Sequence, residues 1–205
     1  MKLPIDPASV KGFLDPDEGS ALYRWAHDAV AWGPCLEVGS YCGKSALYLG
    51  AACKSRGGLL FTVDHHRGSE EMQPGWEHHD AETWDARAGT METLPFLRDT
   101  LRRAQLEDHV IPIVGRSATV ARHWHTPLSM IFIDGGHAME QALADYRGWA
   151  HHVMPGGYLA IHDVFPNPEE GGRPPYEIYK AALASRLFRE LEQMKSLRLL
   201  VRLAG

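Results

Sequence analysis

Cysteine is scarce: Cys35, Cys42 and Cys53 are the three in 205 residues, and no C-x-x-C pair occurs. So odd and scattered a set excludes a disulfide framework and suits a reducing cytosol. No apolar run reaches the ~18 residues of a membrane helix, and residues 1–11 lack the apolar centre of a secretory signal. Nor is there a basic excess: 21 Lys and Arg stand against 26 Asp and Glu, a formal charge of −5. A broad nucleic-acid footprint is therefore not expected. Arg98, Arg102 and Arg103 cluster at helical spacing and read as a solvated helix face. Repeats, low-complexity tracts and linkers are also missing, so residues 1–205 are read as one domain that folds without metal or disulfide. These absences predict a cytoplasmic protein with no membrane partner.

What is present alternates between strand and helix. Residues 1–30 form a helical lead-in: Asp15-Pro16-Asp17-Glu18 supplies a cap and an acidic first turn, and Leu22, Trp25, Ala26 and Ala29 make a stripe. Buried strands are expected at 34–39, 59–63, 110–114, 130–133 and 157–161, and helices at 45–53, 91–105, 139–151 and 174–185. A last strand is expected at 196–203, with a short one near 187–192. This pattern predicts an α/β fold, a mostly parallel sheet with helices on both faces and an antiparallel hairpin at one edge.

In such sheets ligands sit beyond the carboxyl ends of the strands. The first strand runs into Glu37-Val38-Gly39-Ser40-Tyr41-Cys42-Gly43-Lys44-Ser45, where glycines admit a ligand close to backbone and a helix N-terminus follows. Its G-x-x-x-G spacing is neither the G-x-G-x-x-G of dinucleotide sites nor the G-x-x-x-x-G-K-S of a P-loop. The second strand ends in Asp64, a carboxylate placed to accept ribose hydroxyls, and the third leads to Gly115-Arg116-Ser117.

Together with Ile133-Asp134-Gly135-Gly136-His137, Pro155-Gly156-Gly157 and His162-Asp163, these segments resemble class I S-adenosylmethionine-dependent methyltransferases. The nearest subgroup is methyltransferase family 24, similar to macrocin and other small-molecule O-methyltransferases. The resemblance spans about residues 30–203. It implies a Rossmann-like seven-stranded sheet of order 3-2-1-4-5-7-6 and S-adenosylmethionine as cofactor. By the same resemblance Glu37, Gly39, Ser40, Tyr41, Gly43 and Ser45 hold the methionine part. Asp64, with His65 beside it, takes the ribose, Arg116 and Ser117 the adenine side, and Asp134 completes the pocket. The expected activity is methylation of a small acceptor, with a hydroxyl oxygen as the first choice. A non-catalytic S-adenosylmethionine-binding protein is the alternative, and a nicotinamide oxidoreductase is disfavoured by the missing glycine pattern. A homodimer is the default for a small enzyme.

The candidate catalytic residues are His137, Asp134 and Asp163. Asp134, His162 and Asp163 lie at the ends of strands that should be neighbours, and they make a candidate divalent-cation site. Related metal-dependent enzymes carry acidic residues there. His162 departs from that pattern, which turns the preference from Mg²⁺ toward Mn²⁺, Zn²⁺ or Fe²⁺, or removes the metal. The competing reading has Asp134 and Asp163 bonding loop backbone. His137 is the first choice of general base, against a plain helix-capping role.

Residues 65–90 are the unusual stretch, read as a lid-like insertion. His65-His66 and His78-His79 are interleaved with carboxylates, yet they match no zinc spacing. A substrate lid is preferred over a second metal site. Trp76 and Trp84 could wall an aromatic acceptor or simply pack beneath the lid.

Overall fold

The computed structural model describes residues 2–69, 72–76, 79–136, 138–167 and 169–204. Asp15 opens α1 (Pro16–Ala29) by accepting the Asp17 amide at 2.8 Å, and Pro16 occupies a first-turn position where no N–H is needed. There follow β1 (Cys35–Val38), α2 (Lys44–Ser55) and β2 (Leu60–Asp64). A small hairpin, β3 (Trp84–Asp85) with β4 (Thr90–Met91), precedes α3 (Leu94–Arg103) and β5 (Val110–Val114). The second half holds α4 (Ser117–Ala121), β6 (Leu128–Ile133), α5 (Met139–Trp149) and β7 (Val153–Ile161). It closes with α6 (Arg173–Ala184), β8 (Phe188–Met194) and β9 (Leu197–Arg202).

Seven strands form one sheet in the order β5-β2-β1-β6-β7-β9-β8, parallel except where β9 meets β7 and β8. Counting only these seven strands in chain order gives 3-2-1-4-5-7-6, the expected Rossmann-like arrangement. Two apolar cores lie on its two faces. Along β6, Met130 and Phe132 face α1, α2 and α3, whereas Ile131 and Ile133 face Trp149 of α5 and Ile178 of α6. From Met130 to Ile133 the strand is apolar because both faces are covered, although its side chains still alternate.

Two element starts lie well away from expectation. Helix α3 starts at Leu94, because Met91 is paired with Trp84 in the small hairpin. Strand β7 starts at Val153, ahead of Pro155-Gly156-Gly157, with a register shift against β6 between Leu128 and Met130. Residues 65–90, expected as a lid-like insertion, hold a 3-10 turn (Ala81–Thr83) and all of this hairpin but Met91. Among the described residues no helix is long and apolar enough to cross a membrane.

Helix α1 is strapped to the β8–β9 hairpin. Lys195 reaches Asp15 at 2.6 Å and Asp17 at 2.8 Å, while Arg24 and the Trp25 indole both bond Glu192. Against α2 it approaches closely, since a Cβ on Gly19 would stand 2.4 Å from the Tyr48 ring. This contact fixes which helix residues can reach the sheet's edge.

Candidate active site

Register explains how the site assembles. β6 and β7 pair through Ile133↔Ile161, so Asp134 and His162 come next, side by side at the carboxyl lip. The parity of β6 and β7 turns both toward α1, on the same face as Glu37 of β1. His162 Nδ1 lies 2.9 Å from Asp134 Oδ1 and 3.5 Å from Asp163 Oδ2. Its Nε2 lies 3.0 Å from Glu18 Oε2 of α1, and Glu18 Oε1 accepts the Ser196 amide at 2.9 Å and hydroxyl at 2.8 Å. Burial alone would lower the His162 pKa, but Asp134, Glu18 and Asp163 outweigh it and raise it well above the ordinary value. Asp134, His162 and Asp163 each offer a ligand atom, all within 4.8 Å of one another. Asp163 adopts φ 55°, a left-handed conformation that an aspartate tolerates at some cost and that turns its carboxylate back to the lip.

The 39–43 loop, the expected cofactor loop, lies across the adjoining strand ends. Gly39 has φ 87°, and a Cβ there would stand 2.2 Å from the Asp134 carbonyl oxygen, so the loop and the lip touch only because this residue is glycine. Asp64 braces the loop: Oδ2 accepts the Ser40 and Tyr41 amides at 3.0 Å and Oδ1 the His66 amide at 2.7 Å. Glu37 is fully buried; Oε2 accepts the Thr62 hydroxyl at 2.6 Å, and Oε1 has no hydrogen-bond partner among the described residues. Burial pushes its pKa up to about 8, against the opposing pull of the nearby Ser45 and of Thr62. An orphaned buried carboxylate oxygen beside a glycine cradle fits a ligand that brings a cationic donor, as the ammonium of S-adenosylmethionine would.

The family model for the Methyltransferase domain matches residues 36–164, from β1 to just past β7, more than half of the chain. The chain belongs to methyltransferase family 24. The fold of this methyltransferase is also similar to solved enzymes. The O-methyltransferase from Bacillus cereus, in complex with S-adenosylhomocysteine, shares 18% identity at TM-score 0.65, over 95% of this chain and 86% of that one. The O-methyltransferase TomG from Streptomyces achromogenes, in complex with S-adenosylmethionine and involved in tomaymycin synthesis, shares 16% identity at TM-score 0.64, over 94% and 82%. The O-methyltransferase NovP shares 16% identity at TM-score 0.69, over 92% and 80%.

Not every expected residue converges. Ser117 sits at the start of α4, but its hydroxyl accepts the Trp149 indole N–H at 2.7 Å. Arg116 is exposed, and so is His65, whose Nδ1 accepts the Arg67 amide at 3.0 Å. His137 lies outside the described residues. Sequence reasoning missed Glu18, taken there for an ordinary first-turn acid. The signal was available: 18, 22, 25 and 29 fall on one helical stripe, so Glu18 continues the buried face. Asp145, buried on α5, was missed as well. Its Oδ2 would stand 2.8 Å from a Cβ on Gly135, directly behind the lip.

A hollow of about 340 Å³ opens beside the loop, lined by Lys11, Phe13, Tyr41, His79 and Asp80 among others. Lys11 ties the N-terminal segment to the 65–90 stretch through Asp80 and Glu82, each at 2.6 Å. Its volume is in the range of small-ligand sites.

Proposed function

We propose that this S-adenosylmethionine-dependent methyltransferase methylates a hydroxyl oxygen of a small molecule at the lip of Asp134, His162 and Asp163. The observation that carries the reading is the convergence of those three groups, from two adjacent strand ends, against the cofactor loop. In the reaction the acceptor oxygen bonds the methyl carbon as the carbon–sulfur bond breaks, S-adenosylhomocysteine leaves, and the hydroxyl proton passes to a base. His137, next in sequence to Gly136, is the candidate for that base. Glu37 and the Gly39–Gly43 turn hold the methionine end. Asp64, already accepting three amides, keeps about one acceptor place for a ribose hydroxyl. A divalent cation at the lip would lower the acceptor's pKa and orient its oxygens. Holding oxygen, methyl carbon and sulfur in line accounts for much of the acceleration.

The test joins calorimetry to turnover. S-adenosylhomocysteine should bind, and a panel of vicinal diols and catechols incubated with labelled S-adenosylmethionine and Mn²⁺ should yield at least one O-methyl product. Asp134→Asn should cut that turnover at least 100-fold. If products form only on nitrogen or carbon, the hydroxyl assignment is wrong. If S-adenosylhomocysteine does not bind, the placement of the cofactor fails with it.

A further inference from the structure

Glu18 is a buried acid supplied by the lead-in helix rather than by any strand end, and the reaction just described makes no use of it. We propose that Glu18 is the positioning residue of the lip: its carboxylate accepts the hydrogen bond of His162 Nε2–H and so turns Nδ1 toward Asp134, Asp163 and a divalent cation held between them. This rests on the cation reading above. The geometry is specific. An ionised carboxylate only accepts hydrogen bonds, and both oxygens of Glu18 are committed: Oε1 to two donors of Ser196, Oε2 to His162. Both ring nitrogens thus face carboxylates, Nε2 that of Glu18 and Nδ1 those of Asp134 at 2.9 Å and Asp163 at 3.5 Å; a cation entering the lip displaces the Nδ1 proton, while Nε2 keeps its bond to Glu18. Metal-bound histidines usually donate their second N–H to a carboxylate in this way, which fixes tautomer and ring angle. An imidazole nitrogen in the set shifts the preferred ion from Mg²⁺ toward Mn²⁺, Fe²⁺ or Zn²⁺.

A merely structural Glu18, tying α1 to Ser196, makes a different prediction. In Glu18→Gln the amide oxygen can keep both Ser196 donors, but the amide nitrogen then faces His162 and donates. The ring then has to keep its one proton on Nδ1, where it opposes the cation. Mn²⁺ binding to the full-length, metal-free protein, followed by loss of the free-ion paramagnetic resonance signal, should be 10- to 100-fold weaker in Glu18→Gln. S-adenosylhomocysteine affinity should stay within about threefold by the same reckoning. Ser196→Ala removes a Glu18 bond but leaves the His162 contact, and it should hold Mn²⁺ as the unaltered chain does. Equal Mn²⁺ affinity in Glu18→Gln and the parent overturns the positioning role while leaving the cation site standing. If the parent binds neither Mn²⁺ nor Zn²⁺, both readings fall. Should Glu18→Gln not fold, long-range proton–nitrogen correlation on the Zn²⁺-loaded parent decides. A proton on Nε2 with the metal-shifted signal on Nδ1 supports the assignment, and the reverse pattern overturns it.

Discussion

Two regions of this chain are rich in histidine and carboxylate, and they are built in opposite ways. At the lip, one histidine is buried against three carboxylates delivered by α1, β6 and β7. In residues 65–90, histidines are more numerous but spend themselves locally. His65 accepts an amide, His66 is buried against the Thr93 hydroxyl, and the His79 ring meets the Met72 carbonyl. Among the described residues, Asp134, His162 and Asp163 are the group of three whose ligand atoms converge, and none of the 65–90 histidines joins such a group. Abundance of ligating residue types therefore says little. Convergence imposed by strand register says much more.

The comparison is broken most severely by separating loop from lip. Gly39→Ala combines φ 87° with a Cβ 2.2 Å from the Asp134 carbonyl, so backbone must move. The expected cost is about 3 kcal/mol or more. Urea unfolding should show that loss, and calorimetry should show S-adenosylhomocysteine binding abolished. A change under about 1 kcal/mol would mean that the loop and lip are not in contact.

A somewhat smaller effect follows from Glu37. Its pKa is raised from the ordinary carboxylate value to about 8, so the folded state holds a proton that the unfolded state releases. The stability this contributes is full below about pH 4.5 and is lost as pH rises toward 8. Relative to Glu37→Gln, the parent should lose about 2–4 kcal/mol between pH 5 and 8, read from denaturation midpoints. Parallel profiles would show that Glu37 is already ionised in the folded protein. Next in size is Ser117→Ala, which leaves the buried Trp149 indole N–H without its acceptor and should cost about 1–3 kcal/mol. If Ser117 serves the adenine only through backbone, S-adenosylhomocysteine affinity will hardly change.

Much of the lip was legible in the sequence, because strand ends are marked by apolar runs stopping at polar residues. Asp64, Asp134, His162 and Asp163 were all found that way, and the sheet's register then brought the last three together. Glu18 was not found, since the cap signature Asp15-Pro16-Asp17-Glu18 accounted for its charge and concealed its place on the buried stripe. The start of β7 was hidden by Pro155 and Gly156, which precede the expected strand at 157–161 yet lie within a strand whose register slips against β6. Local chemistry was readable; the reach of a side chain from a distant helix was not.

The smallest expected effect tests the other half of the comparison. His65 is exposed, and its Nδ1 accepts one amide across a tight local turn. A bond of that kind on the surface contributes little, so His65→Ala should shift stability by no more than about 0.5 kcal/mol. Mn²⁺ affinity should be unchanged, because His65 is not among the three groups whose ligand atoms converge at the lip. The informative quantity is S-adenosylhomocysteine affinity, since His65 directly follows the Asp64 that braces the cofactor loop. A loss beyond about tenfold, or about 1.4 kcal/mol, would place His65 on the ribose and give the 65–90 segment a direct share in the site. A loss of Mn²⁺ binding instead would break the division between the two regions altogether.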